Sequence, residues 1–398
     1  MYMTIHDCAN NDSPLLYAVV FFMIYKPSCF EDIALIDTLW NYAKFGLCSY
    51  FIILHCLDCK AIIKYPFICF FVVLLSTILH HGVISKVISH WIPGLGVICW
   101  LGVNLNNLRK IAKVFYVCGG MLIILNTITM ILFPNGMWIR AEASTPIWLL
   151  GQKQDFLTCY LPTAFFMIIA GRTDNFMRGY IGFVTICMII SAIIIRPVGL
   201  IMCMLSLIIL IIIEKKFGIR TKPILLFISF GILEFIAILV AYIYSKLTIL
   251  QIALSSIEAG GLDKSQTMGT RFSMWAYAWD SFLKNPLLGM GQVSESVWYK
   301  TSGLDFYHTI MHNTPLDIMF TGGGLAFFIY FIWHISMVKK LSKYSNLKLC
   351  RYIGYAFFSL CFISLTECPY NPMIFAIYGF IMCIPHVFIR GELELMSK

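Results

Sequence analysis

Apolar runs of roughly membrane-spanning length, separated by short polar stretches, fill almost the whole chain. A membrane helix needs about 20 consecutive apolar residues. Windows of that length predict spans near residues 14–27, 43–58, 65–82, 89–106, 112–133, 155–171, 178–195, 197–213, 223–245, 314–336, 352–366 and 370–388. Lys26, Lys44 and the pair Pro93 and Gly94 interrupt or crowd the first, second and fourth, so eleven spans also fit. The pattern predicts an all-α, polytopic helical integral membrane protein of about twelve transmembrane helices.

One segment breaks the rhythm. Residues 246–313 form a long polar stretch between two apolar runs, and long loops in compact proteins are usually functional. Within it, Phe272, Trp275, Ala276, Trp279, Phe282 and Leu283 recur at helical spacing. With Thr270 as cap and Asn285-Pro286 as stop, they predict a helix over 271–284, whose tryptophans suit a membrane interface. The chain thus divides into an N-terminal membrane bundle (1–245), a partly helical extracytoplasmic loop (246–313) and C-terminal membrane helices with a tail (314–398).

Composition agrees: 60% of residues are hydrophobic and 12% charged, and the mean hydropathy is +0.82, which excludes a water-soluble globular domain. If the N-terminus is cytoplasmic, the segments 60–64, 109–113, 172–178, 214–222, 339–351 and the tail lie inside. These hold 18 of the 29 basic residues, so the positive-inside rule places both termini in the cytoplasm. The net charge of +9 is then a topology signal and an attraction to anionic lipid, with no nucleic-acid surface implied. The N-terminal sequence lacks the basic region of a cleavable signal peptide. Of the 15 cysteines, only Cys56 and Cys59, beside His55 and Asp58, have CxxC spacing. Without a second pair they make a weak zinc motif on a reducing side.

Candidate chemistry lies in and near the long loop. Arg271 falls in the first turn of the predicted helix, where free N–H groups and the helix dipole favour an anion and a guanidinium adds bidentate donors for phosphate; the plain alternative is a surface arginine. The stretch "NPLLGMGQ" supplies a Gly-x-Gly turn, alone a weak phosphate signal. Thr314, Pro315 and Asp317 read as a helix start, with the Thr314 hydroxyl as cap, Pro315 at the first helical position and Asp317 at the third, where it supports the cap or else orients the imidazole; this leaves His312 and Asn313 just outside it. A nearby helix N-terminus favours a neutral imidazole, the form that takes a proton, so His312 suits a general base, or else a structural loop histidine. Arg196 interrupts an apolar tract at "IIIRPVG" and marks a hairpin tip facing outside, a site candidate or a snorkelling end residue.

In combination, Arg196 followed by "GTRFSMWAYAWDSFLKNPLLGMG" and "HNTPLDIMFTGGGLAF" resembles the O-antigen ligase and Wzy-type polysaccharide polymerase family. The motifs cover roughly residues 190–330. Ile195 and Pro197 stand where the family commonly has small hydroxylated residues around the hairpin arginine, so Arg140, in "NGMWIRAEAS", is a substitute or additional ligand.

The resemblance implies glycosyl transfer on the outer face of the cytoplasmic membrane from a glycan linked to undecaprenyl diphosphate. Arg271, Arg196 and Arg140 are then the expected diphosphate ligands, His312 the base that activates an acceptor hydroxyl with inversion, and Asn313 its neighbour in positioning. No cofactor is implied, and no carboxylate cluster in the outside loops suits a metal. The implied partners are the lipid-linked donor and acceptor, membrane lipids, a chain-length regulator and a flippase. A repeat-unit polymerase is the favoured reading and a ligase to lipid A core the second. A transporter or flippase is a third, although the two halves of the chain show no internal repeat.

Overall fold

The computed structural model describes residues 13–31, 33–57, 64–140, 145–170, 175–246, 263–302, 311–368 and 370–384. Each predicted apolar run corresponds to a helix: α1 (Pro14–Ile24), α2 (Ala34–Leu57), α3 (Lys64–Leu79), α4 (Ile84–Val103), α5 (Leu108–Leu132), α6 (Leu157–Ala170), α7 (Asn175–Ile195), α8 (Val198–Phe217) and α9 (Pro223–Lys246). The long loop adds α10 (Asp263–Lys284) and α11 (Glu295–Ser302). The chain then returns through α12 (Thr314–Lys343), α13 (Lys348–Ser364) and α14 (Pro372–Met382). The only sheet among the described residues is an antiparallel hairpin, β1 (Trp138–Arg140) with β2 (Thr145–Ile147).

Local chemistry sets the ends. Ser13 caps α1 ahead of Pro14, Asn371 caps α14 ahead of Pro372, and Gly218, at a φ of +68° that suits glycine, closes α8. Six helices, α4, α5, α7, α8, α9 and α12, are long and apolar enough to cross a membrane. The expected count of twelve is not reached by that measure: α1, α3, α6, α13 and α14 have 17 residues or fewer, and α2 carries Asp37, Asn41 and Lys44. Pro93 and Gly94 do not interrupt α4. The small residues on that helix are where neighbours press in: a Cβ on Gly94 would meet the Phe375 ring of α14, and one on Gly96 would meet the backbone of Cys48, so α2 crosses there at backbone distance. Large apolar side chains on the outer faces of α7–α9, among them Phe183, Ile189, Ile209 and Phe235, are exposed, as suits a lipid-facing surface.

Two departures from the sequence reading bear on the site. First, α10 starts at Asp263 rather than near 271, because residues 263–270 contain no proline and continue the helix without an apolar signal. Arg271 therefore lies mid-helix, and the helix-terminus part of its anion-site case falls away. Second, one of the two tryptophans of α10 is packed inside the fold. Trp275 is 5% exposed and, with Met274, Ala278, Trp298, Leu316 and Phe320, forms a separate core that welds α10 and α11 onto α9 and the start of α12.

Helix α12 is broken at Gly323, whose backbone (φ 67°, ψ −167°) is open to glycine alone. The turn after α10 fills the break. Met290 N and Gly291 N donate to the carbonyls of Phe320 and Thr321, while Gly324 N and Leu325 N donate to those of Pro286 and Leu287. The Gly-x-Gly turn thus spends these amides on the helix rather than on a phosphate.

Candidate functional site

At the end of the bundle where α12 begins, one carboxylate gathers the charged candidates. Glu367, in the link between α13 and α14, accepts from Arg271 Nη2 at 2.8 Å on Oε1 and sits 3.1 Å from His312 Nδ1 on Oε2. Arg271 also donates from Nη1 to the Thr366 carbonyl at 2.8 Å, and the Thr314 hydroxyl donates to the Glu367 carbonyl at 3.0 Å. Burial raises the Glu367 carboxyl, but the His312 hydrogen bond and the Arg271 charge outweigh it and hold the group below the usual carboxylate range. The adjacent Cys368 thiol is pushed well up by burial and the nearby Asp317, so it offers no ready nucleophile.

The hairpin tip reaches the same cluster. Gly199, in the first turn of α8, faces Glu367 so closely that a methyl there would lie 3.8 Å from Oε1. Arg196, three residues earlier, is exposed, and no partner holds its side chain among the described residues. Its end of α7 is fixed by a buried network in which Ser191 meets Thr127 at 3.0 Å and Tyr160 at 2.9 Å. Arg140 ends β1, paired with Thr145 in the hairpin after α5; its side chain lies outside the described residues.

Asn313, not Thr314, caps α12: its Oδ1 accepts from Leu316 N at 2.8 Å. Its Nδ2 donates to the Leu365 carbonyl at 3.2 Å and to Glu234 Oε2 at 3.3 Å. The residue is fully buried and both ends of its amide are engaged within the fold. Asp317 gives its carboxylate oxygens to partners other than the imidazole. It accepts from Met311 N at 3.3 Å and from the Tyr370 hydroxyl at 2.8 Å.

Among the described residues three non-glycine positions have left-handed backbones, His81, Arg196 and His312, the last with φ 48°. Such strain persists where surroundings enforce it and clusters at working sites, and two of the three are residues singled out by sequence. The site thus joins Arg271 and His312 through Glu367, with the hairpin that carries Arg196 reaching it at Gly199 and Asn313 capping the helix beside it. Glu234 and Glu367 were missed by sequence reasoning. A lone carboxylate in the apolar run of α9 was a usable signal for Glu234, whereas Glu367 sits in a short link that resembles any other loop. Of the CxxC motif, Asp58 and Cys59 lie outside the described residues.

Fold and site together define a multi-pass, helical membrane protein with a charged site under a folded insert. The O-Antigen ligase family (Wzy_C) matches residues 164–331, from α6 to the middle of α12, so the resemblance read from the motifs is borne out over that stretch. It includes Arg196, Glu234, Arg271, His312 and Asn313, and leaves Glu367 and Arg140 outside. No curated protein gives a match to the chain.

Proposed function

We propose that the chain is a glycosyltransferase that polymerises undecaprenyl diphosphate-linked oligosaccharide repeat units into O-antigen or capsular polysaccharide on the outer face of the bacterial cytoplasmic membrane. The observation that carries this reading is the single carboxylate of Glu367 shared between the Arg271 guanidinium and the His312 imidazole. With Nδ1 held by Glu367, the other ring nitrogen of His312 is free to take the proton of an acceptor hydroxyl as that oxygen attacks the anomeric carbon. Glu367 then stabilises the imidazolium that forms, and the sugar–phosphate bond breaks with inversion. Negative charge grows on the departing diphosphate and calls for cations beside it. Arg196, exposed and without a carboxylate partner among the described residues, meets phosphate at little cost, while Arg271 must share its fork with Glu367. Asn313 acts from below, by fixing the start of α12. The lipid tail lies along the exposed apolar faces, a flippase delivers the donor, and a chain-length regulator acts on the product.

The family's description favours a second reading, transfer of the finished glycan to lipid A core or another acceptor, which uses the same donor site. Polymer profiling in the native host, intact gene against His312→Ala at matched membrane abundance, separates the readings. Loss of the long-chain ladder with a single repeat unit still attached supports the polymerase. Accumulated long lipid-linked chains with bare surface acceptor establish the ligase, and an unchanged ladder removes His312 from the chemistry and returns a transporter to consideration.

A further inference from the structure

The backbone of His312 is held in its left-handed state from both sides. The residue before it is gripped at each end: the Met311 carbonyl accepts from Trp275 Nε1 at 2.9 Å, and the Met311 amide donates to Asp317 Oδ1 at 3.3 Å. Asp317 is itself fixed by the Tyr370 hydroxyl at 2.8 Å, and the Tyr370 ring stacks on His90 of α4, centroids 5.9 Å apart and nearly parallel at 9°. Met311 is fully buried, and Trp275 and Asp317 are nearly so. The residue after it, Asn313, is secured as the cap of α12. An ordinary residue leaves the left-handed region when nothing enforces it, so these contacts decide where the imidazole points and whether Nδ1 meets Glu367.

From this geometry we propose that Tyr370, acting through Asp317, and Trp275 on the opposite side are positioning residues that clamp the backbone of Met311 and so set the orientation of His312. None of the three needs to touch substrate. The proposal rests on His312 as the proton acceptor for its effect on turnover, but the clamp itself is read independently from the imidazole.

The test uses the full chain in nanodiscs with Tyr370→Phe, Asp317→Ala, Asp317→Asn and His312→Ala. Glycan transfer is measured on lipid-linked glycan extracted from a host strain lacking the gene. Undecaprenyl diphosphate binding, the melting temperature and the 15N imidazole signals of His312 are followed in parallel. Tyr370→Phe and Asp317→Ala are expected to lower turnover by about tenfold or more, as small misplacements of a reacting group do. Undecaprenyl diphosphate affinity should stay within about twofold, and the His312 signals should shift. Asp317→Asn still accepts from Met311 N and gives its amide hydrogen to the Tyr370 oxygen, so it should restore most of the turnover. Unmoved His312 signals in Tyr370→Phe and Asp317→Ala overturn the clamp, whether turnover is intact or falls together with binding and melting temperature. Shifted signals alongside an active His312→Ala overturn the base role in the proposed function while leaving the clamp standing.

Discussion

Glu367→Gln keeps the shape of the central side chain and removes its charge, leaving Arg271 with the Thr366 carbonyl and His312 with an amide. Two unit charges about 4 Å apart interact by roughly 4 kcal/mol at an effective dielectric of about 20. The Glu367 and His312 side chains are 19% and 31% exposed, so water screens part of this, and about 2–3 kcal/mol is a reasonable share for one charge-assisted hydrogen bond. Only the imidazolium formed during the reaction gains fully from the negative charge, so the loss should fall on turnover, by roughly 30- to 150-fold. The KM for the donor should not rise, because Arg271, relieved of its carboxylate, is freer to meet phosphate. The assay is glycan transfer by the full chain in nanodiscs, with kcat and KM measured separately on lipid-linked glycan from a deletion host. A folded Glu367→Gln protein whose kcat stays within about threefold of the parent would refute the assignment of Glu367 as the stabiliser of a charged His312.

Four further outcomes follow from the same structure. Because Glu367 has a folded pKa below its unfolded value of about 4.3, its contribution to stability is complete above that pH and is lost as pH falls through the lower folded value. The parent's melting temperature should therefore drop more steeply than that of Glu367→Gln between pH 6 and pH 3. Arg196→Ala should weaken undecaprenyl diphosphate binding about tenfold, as expected for one charge-assisted phosphate contact, without moving the melting temperature, since the side chain is exposed; unchanged binding removes it from the donor site. Asn313→Ala deletes a cap and strips Glu234 and the Leu365 carbonyl of a donor, and a stability loss of about 2–4 kcal/mol is expected in chemical denaturation. At the opposite end, Arg351 holds Glu214 at 2.6 Å beneath the Tyr355 hydroxyl, both charged groups being buried. Arg351→Ala leaves a buried charge alone at a cost of about 3–5 kcal/mol, read as lost membrane abundance, whereas replacing the pair with apolar residues should restore much of it.

The apolar runs were legible because the bilayer imposes a length on them, and each of the twelve predicted spans coincides with a helix. Their status as crossings was less so: α3 and α14 are apolar but short, which a hydropathy window does not register once flanking residues are swept in. Arg271 was placed by an apolar period that starts only at Phe272, so the polar first two turns of α10 and the arginine's mid-helix place were invisible. His312 and Asn313 were identifiable from the helix start beside them, but Asn313 rather than Thr314 provides the cap. Their partners come from far along the chain: Glu367 from 55 residues after His312, Glu234 from 79 before Asn313. Short-range spacing carries no trace of such pairings, and only the packing of α9 and α13 against α12 brings them in.

The break in α12 has a bearing on how the protein is made. A helix interrupted at Gly323 brings to the membrane four backbone groups, those of Phe320, Thr321, Gly324 and Leu325, whose partners are all contributed by residues 286–291. Unpartnered groups of this kind are poorly tolerated in hydrocarbon. The insert between α9 and α12 must therefore have begun to fold before α12 can settle, which makes biogenesis ordered: the last three helices await the turn at the end of α10. Changes to the 285–291 turn should accordingly show first as a protein arrested during membrane insertion and degraded, before any defect in catalysis can be measured.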